Sequence, residues 1–411
     1  MKRYTVTARL LSPLVVKRDR QSERSGGVST ISGTMVRGGL AQTYLRSQGA
    51  ADATFRRLFL DEGSCRFGPL DPASRLFPLT SVSCKREAGP LAAGKHGVKD
   101  MLWDRIAQRL GAGAGFFDLG RCVKCHHDLK PYSGFYEHPN QPSQRTAAPR
   151  HTVTTHVGID RITNTAAESI FFTLEAMEPG PGSEGGLPSL TGWIDMDDEC
   201  HAALTSLLQA QDSLVVLGHA RTRGYGRVAL TVGGPLDGRD RFDRGRIAAW
   251  SGTFVRSTAG DVLDAELHFV FSLTMPSGAI LVDDLLRNSW DPSDAIDWLP
   301  PMPVVDDNRP LLGRAGREVD GGELRCLTAV TRQERARGWN AAHGLPRQDE
   351  WTVARGSVYA YVFEGDKESR ESLLDRLERL HGNGLGLRRS EGFGDVVVSD
   401  EFHRVYHHQE R

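Results

Sequence analysis

The sequence predicts an α+β protein in which one β-α-β-β-α-β unit is used twice, with an insertion in the first copy. Three observations predict it. Gly218-His-Ala-Arg221-Thr-Arg223-Gly224-Tyr225-Gly226-Arg227-Val228 returns as Gly386-Leu-Arg388-Arg389-Ser-Glu-Gly392-Phe393-Gly394-Asp395-Val396, with glycines, an arginine and an aromatic at matching places. Each copy follows an amphipathic helical pattern and runs into a β-branched strand, so the repeat includes its structural setting. The chain of 411 residues is too long for one ordinary core and leaves room for an inserted segment.

Residues 3–11 alternate, with Tyr4, Val6, Ala8 and Leu10 on one face, which predicts a half-buried strand. A polar, basic loop at 17–29 leads to a helix with Thr34 as its N-cap and Met35, Leu40 and Tyr44 on one side. Gly38 and Gly39 in its first turns each cost about 1 kcal/mol relative to alanine. That cost points to close approach of another backbone or a ligand. From 61 to 150 the periodicity is lost among turns such as Gly68-Pro69, Asp71-Pro72 and His138-Pro139, so an insertion held by something other than a core is expected. Strands resume at 151–158 and 169–177 around a polar tip, then at 190–196, followed by a helix at 198–209 and the first glycine loop. A Gly-rich polar stretch at 233–246 marks the domain boundary. The second half reads as strands at 266–275 and 279–282, a proline-rich region, a strand at 324–331, a basic stretch, a strand at 356–363, a helix at 369–381 and the second glycine loop. In both halves the order is strand, helix, strands, helix, glycine loop, strand. This fits two ferredoxin-like (RRM-like, βαββαβ) domains in tandem, over 1–240 and 241–411, with the insertion at about 61–150 in the first.

With 39% hydrophobic and 25% charged residues, the chain has the composition of an ordinary globular protein. No run approaches the roughly 18 consecutive apolar residues of a membrane span, and the N-terminus enters an alternating pattern rather than a signal-peptide core, so a cytoplasmic protein with no membrane partner is expected. A net charge of −1 argues against nucleic-acid binding through bulk positive charge and leaves that role to local arginine patches. Three exist: at 17–24, at 221–227 and at 332–337.

Of the six cysteines, Cys200 and Cys326 stand in apolar surroundings and read as buried thiols. Cys65, Cys84, Cys122 and Cys125 all fall within the insertion. Thiolates bind zinc tetrahedrally, and Cys122-x2-Cys125 supplies two ligands from one tight turn, so a structural zinc site that would fold a segment with little core is expected. Reduced thiols without metal are the simpler alternative. The spacing departs from a standard ribbon, which lets His126, His127 or His138 replace one thiolate.

The glycine loops, taken singly, can be plain helix-to-strand turns. Gly224-Tyr-Gly226-Arg-Val-Ala229 matches a dinucleotide fingerprint in letters only, because it leads into a strand instead of opening a helix. Exposed amides with arginines and an aromatic suit a phosphate backbone and a stacked base. Asp197/Asp198 and Asp283/Asp284 read as helix starts and solvated faces. No G-x-S-x-G, H-E-x-x-H or Walker A sequence is present, and no catalytic constellation is visible.

The ordered set of motifs resembles the CRISPR-associated RAMP superfamily. It is most similar to the two-ferredoxin-fold subunit that caps the CRISPR RNA 5′ tag in type III effector complexes, in its type III-D version. Ile31-Ser-Gly33-Thr-Met-Val-Arg37-Gly38-Gly39-Leu-Ala41 resembles the family's loop into the first helix, and His156-Val-Gly-Ile-Asp160-Arg161 with Thr165-Ala-Ala-Glu168 resembles its RNA-side hairpin. Gly338-Trp339 followed by Gly356-Ser-Val-Tyr359 resembles a shared segment, and both glycine loops are in place. The resemblance implies a non-catalytic subunit that holds the 5′ tag, contacts the large polymerase-like subunit and adjoins the RAMP backbone. It nominates Arg37, Gly38, His156, Arg161, Arg221, Arg223, Gly224, Tyr225, Gly226, Arg388, Arg389, Gly392 and Phe393 for RNA contact. Two alternatives stay open: a metal-independent endoribonuclease of repeat RNA using His156 or His219, and a zinc-stapled scaffold touching only protein. Of the two loops, the first, with three arginines and no acid, is the better candidate for direct RNA contact.

Overall fold

The computed structural model describes residues 1–16, 29–90, 94–112, 120–137, 149–179, 189–236, 242–302, 316–340 and 343–407. Within the first half, β1 (Lys2–Leu10) is followed by α1 (Gly33–Gln48), α2 (Ala53–Phe59) and β2 (Cys65–Phe67). An inserted segment carries β3 (Ser81–Cys84), β4 (Val98–Asp100), α3 (Leu102–Leu110) and β5 (Leu129–Pro131). A hairpin of β6 (His151–Ile159) and β7 (Ala166–Met177) leads to β8 (Leu190–Met196), α4 (Asp198–Ala210), β9 (Leu214–Val216) and β10 (Arg227–Pro235). These strands form a five-stranded antiparallel sheet in the order β9-β10-β1-β8-β2. The alternation read in β1 is realised: Tyr4, Val6, Ala8 and Leu10 are all buried under Val36, Leu40 and Tyr44 of α1 and Leu204, Leu207 and Leu208 of α4.

Helix α1 starts earlier than its sequence suggested. Ser32, not Thr34, is the N-cap, its hydroxyl accepting from the amide of Met35 at 3.3 Å. Thr34 sits inside the first turn and uses its hydroxyl elsewhere. Of the paired glycines, Gly39 explains the sacrificed helix propensity, because a Cβ there would stand 2.2 Å from the Leu217 side chain; Gly38 faces open space. Asp197 caps α4 as expected, accepting from the amide of Cys200 at 2.8 Å. Asp283 instead closes a tight turn, accepting from the amides of Leu285 and Arg287.

The second half comprises α5 (Arg244–Phe254), β11 (His268–Thr274), β12 (Arg317–Val319), β13 (Gly322–Val330), a ribbon of β14 (Gln333–Ala336) and β15 (Glu350–Val353), then β16 (Val358–Glu364), α6 (Lys367–Asn383), β17 (Val397–Val398) and α7 (Glu401–His407). Its sheet runs β12-β13-β16-β11-β17. Each sheet therefore contains four strands whose spatial order is fourth, first, third, second, the order of a split β-α-β unit. The second half departs from the pattern at its first helix. No α-helix stands between β11 and β13 among the described residues, where Pro292, Pro300 and Pro301 interrupt any helical run.

The insertion departs most from expectation. β2 belongs to the first sheet, with Phe67 opposite Ile194, so the excursion begins after it. Nor does the insertion lack a core. Leu102, Trp103, Ile106, Ala107 and Leu110 of α3 are buried against Trp250, Phe254 and Val255 and against Val270, Leu327, Val358, Ala360 and Val362 of the second sheet. The other face of that sheet packs Tyr359, Tyr361 and Phe363 on Leu373, Leu374, Leu377 and Leu380 of α6. A strand covered on both faces reads as a continuous apolar run, which is why β16 carries no alternation. The insertion borrows its core from the far half of the chain, and no local periodicity can report that.

Ion pairs lock the halves together. Arg3 bridges Asp195 at 2.7 Å and Asp395 at 2.8 Å, Arg355 holds Asp71, and Arg66 donates to the carbonyl of Gly382 at 2.9 Å. No described helix is long and apolar enough to cross a membrane.

Candidate RNA interface and metal centre

The two glycine loops are the same structure. Ala220 and Arg388 take left-handed conformations at φ 56° and 55°, short 3-10 turns follow at Arg221–Arg223 and Arg389–Glu391, and Gly224 and Gly392 stand at φ 87° and 86°. Each loop closes with an amide-to-carbonyl bond of 2.8 Å, from Leu217 to Gly226 and from Leu385 to Gly394. A Cβ at Gly226 would lie 1.9 Å from the Leu217 carbonyl oxygen, and one at Gly394 1.8 Å from that of Leu385, so only glycine fits either position. The duplication extends further than the sequence shows. The segment after β1 bridges both the hairpin and the loop, through Leu14 to Met177 and Val15 to His219; the segment after β11 does the same through Ala279 to Val353 and Ile280 to Leu387. Each glycine loop is thus flanked by a β-ribbon inserted between the second and third strands of its sheet.

Around the first loop these parts build a cluster of half-buried aromatic rings edged by exposed arginines. The rings of His156 on β6 and Phe172 on β7, register partners in the hairpin, stack with centroids 5.2 Å apart and planes 15° apart. Tyr225 meets His156 edge-on at 6.5 Å and shares a hydrogen bond of 3.0 Å with the Thr154 hydroxyl. The Arg223 guanidinium lies over Phe172, 4.8 Å from its centroid. Arg221 pairs with Gln42 of α1, and Arg221, Arg223 and Gly224 are exposed. Arg161 is exposed at the hairpin tip, where the Asp160 carboxylate accepts from the amides of Ile162 and Thr163, which hold its carboxyl below the usual range. Five nominated residues, His156, Arg223, Gly224, Tyr225 and Gly226, come together here with Arg221 at the edge. Phe172 and Thr154 were missed, because their place beside His156 follows from a register that only the folded hairpin defines.

The second loop is placed differently, at the junction of the halves. Glu391, where the first loop has Arg223, is 6% exposed and pairs with Arg37 at 3.0 Å, Arg347 at 2.7 Å and Arg388 at 2.6 Å, and accepts from the Thr34 hydroxyl at 3.0 Å. Burial alone would raise its carboxyl, but Arg388 and Arg347 outweigh it and hold it down at about 2. Arg37 also donates to the Phe59 carbonyl, and Arg388 pairs with Glu350 and lies 5.0 Å from the Phe393 centroid. Gly392 abuts the backbone of β2, where a Cβ would meet the Phe67 oxygen at 2.2 Å. Arg37, Arg388, Gly392 and Phe393 therefore serve an intramolecular contact, Gly38 is open to solvent nearby, and Arg389 is exposed.

The four proposed metal cysteines do not converge. Cys65 is in β2, buried beside Cys200 in the first core, and is not part of the cluster. Its place is taken by His96: the ligand atoms of Cys84, His96, Cys122 and Cys125 all lie within 4.8 Å of one another. Cys84 Sγ is 3.4 Å from Cys125 Sγ, and Cys122 Sγ is 3.4 Å from His96 Nδ1. The Cys122 carbonyl accepts from the amide of His126 at 2.8 Å, which closes the turn carrying both thiols. His126, exposed at φ 58°, and His127, 3.4 Å from Arg86, are outside the four, and His138 lies outside the described residues. The amide of Glu87 donates to Cys84 Sγ and lowers that thiol to about 6, toward the thiolate a metal requires. Three sulfurs and one imidazole at these separations fit a tetrahedral zinc ion. His96 was legible only as a histidine in a glycine-rich turn, Gly94-Lys-His96-Gly97.

The glycine loops, the hairpin and the strand order define the class, and the family comparison agrees with it. The chain belongs to the RAMP superfamily, whose model matches residues 7–229. No curated protein matches it. Among solved structures, a chain of "Cryo-EM structure of the Type III-B Cmr-beta bound to cognate target RNA and AMPPnP, state 1" aligns at 10% identity and a TM-score of 0.36, covering 91% of this chain and 88% of that one. "CRISPR associated protein Cas6" aligns at 8% identity and 0.29, covering 96% and 98%. Oligomeric Cmr4 from Pyrococcus furiosus aligns at 13% identity and 0.25, covering 56% and 98%.

Proposed function

We propose that the protein is a non-catalytic RNA-binding subunit of a type III CRISPR effector complex, holding the 5′ tag of the CRISPR RNA and bridging the large polymerase-like subunit and the RAMP backbone in antiviral defence. In this reading the two halves, 1–240 and 241–411, are tandem ferredoxin-like domains, and the cage of Cys84, His96, Cys122 and Cys125 holds a structural zinc ion. The observation that carries the reading is the patch on the first glycine loop. Residues from two motifs far apart in sequence, His156 with Phe172 and Arg223 with Tyr225, meet in one cluster of half-buried rings and an exposed guanidinium. Rings that stack bases beside cations that meet phosphates form a single-strand RNA surface. Arg221 and Arg161, both exposed, extend it along the loop and the hairpin.

Among the described residues no carboxylate or second imidazole is paired with His156. Its Nε2 faces the hydroxyls of Thr154 and Tyr225 at 3.1 and 3.5 Å, a positioning contact for a ring that stacks. The test is purification of the tagged protein from its host with whatever it carries. Guide RNA of intact length is expected to co-purify, and added repeat RNA is expected to stay uncut. Absence of RNA would favour the protein-only scaffold. Metal-independent cleavage of repeat RNA that His156→Ala abolishes would replace the non-catalytic reading with an endoribonuclease.

A further inference from the structure

The first half places an arginine over an aromatic ring on the ribbon beside its glycine loop. The second half does the same with different residues. On the β14–β15 ribbon Arg335 and Trp351 are register partners, and the guanidinium lies 4.6 Å from the Trp351 centroid. The two ribbons occupy equivalent places, since Ala279–Val353 and Ile280–Leu387 repeat the bridges that fix the first. Trp351 is 44% exposed, and Trp290 and Trp339 are exposed nearby in the chain path, at 47% and 53%. The Trp351 amide donates to the Asn288 side chain at 3.1 Å, which holds the Trp290 segment against the ribbon.

The charge on this face is basic in excess. Between 332 and 353, Arg332, Arg335, Arg337 and Arg347 outnumber Glu334, Asp349 and Glu350. Arg347 and Glu350 are committed to the junction, to Glu391 and Arg388. The remaining acids are shared: Glu334 is 3.3 Å from Arg332, and Asp349 is 3.1 Å from Arg337 and 3.9 Å from Arg335. The side chains of Arg332 and Arg335 stay 60% and 50% exposed. A half-exposed indole beneath a guanidinium is a stacking surface beside a cation. A docking face for protein would share the tryptophans, but the repeated arginine-over-ring arrangement beside a glycine loop favours nucleic acid.

We propose that the β14–β15 ribbon is a second platform for single-stranded RNA, on which Trp351 stacks a base while Arg335 and Arg332 meet the phosphates. The proposal rests on the RNA-binding reading of the first loop and extends it to the second half. The junction at Glu391 fixes the half that carries this ribbon against the first.

The test titrates the full-length protein with a fluorescein-labelled single-stranded RNA of about 12 nucleotides. Trp351→Ala is expected to weaken binding about tenfold, and Trp351→Phe to retain affinity while losing part of the RNA-induced quenching of tryptophan fluorescence. Arg335→Glu, a change at a half-exposed side chain, is expected to weaken binding several-fold and keeps the test valid should Trp351→Ala disturb the ribbon. Unchanged affinity in Trp351→Ala and Arg335→Glu, with binding weakened by Tyr225→Ala, overturns the second platform and leaves the ribbon to a protein partner. Unchanged affinity in all of them, Tyr225→Ala included, overturns the RNA reading itself.

Discussion

Replacing Cys122 with serine is expected to take bound zinc from about one ion per chain to a small fraction of that, and to lower the melting temperature by about 10 °C or more. The chain of causes runs through the insertion. Cys84 ends β3, His96 precedes β4, and Cys122 and Cys125 precede β5, so an ion held by these four residues would pin the three strands of one small sheet. β4 delivers Asp100, whose carboxylate holds the buried His403 of α7 at 2.9 Å, and it leads directly into α3, which covers one face of the second sheet. Zinc folds isolated finger peptides with roughly 10–16 kcal/mol of apparent free energy, an upper bound here because α3 keeps its apolar contacts. A third to a half of that, about 5 kcal/mol, at about 2–4 °C per kcal/mol gives the stated fall. Cys65→Ser is the control. It is expected to keep full zinc, because Cys65 packs beside Cys200 away from the cage. Elemental analysis and calorimetry on both variants decide the matter: full zinc in Cys122→Ser, or equal loss in Cys65→Ser, contradicts the cage.

Glu391→Gln should be the most damaging single change at the junction. It leaves Arg37, Arg347 and Arg388 crowded without their shared carboxylate, and breaking a buried pair costs about 3–5 kcal/mol. Arg37 already has its pKa lowered, by burial first and against the raising pull of Glu391, with the like charges of Arg347 and Arg388 adding to the fall. The pH dependence has a definite sign. A carboxyl held at about 2 in the folded protein and near 4.3 in the unfolded chain stabilises fully above about 4.3 and loses that contribution as pH falls toward 2. The urea midpoint of the wild type is therefore expected to fall more steeply between pH 4.5 and 2 than that of Glu391→Gln. Parallel curves would show that Glu391 does not carry the junction.

Much of the fold was legible because local patterns and the fold agree. Alternation in β1, the Asp197 cap and the two loops are short-range features, and glycine at 226 and 394 has a steric cause that any reader of the repeat can suspect. Three things were not legible, each for a physical reason. The core of the insertion is supplied by strands more than a hundred residues away, so α3 had no visible partner. His96 of the candidate metal group lies in a turn, where no periodicity announces it, while Cys65 groups with the other cysteines by its place in the chain although the sheet holds it elsewhere. The roles of the two loops diverge through acids in the second where the first has arginines, Glu391 for Arg223 and Asp395 for Arg227. That swap was visible as a charge difference, but its consequence, a dock for Arg37, needed the fold.

The measurement that bears most directly on the central claim is ultraviolet crosslinking of the protein to single-stranded RNA, with adducts mapped by mass spectrometry. Adducts are expected on the β6–β7 hairpin and the first glycine loop, at His156, Phe172 and Tyr225. Efficient crosslinking with adducts confined to other surfaces would contradict the account.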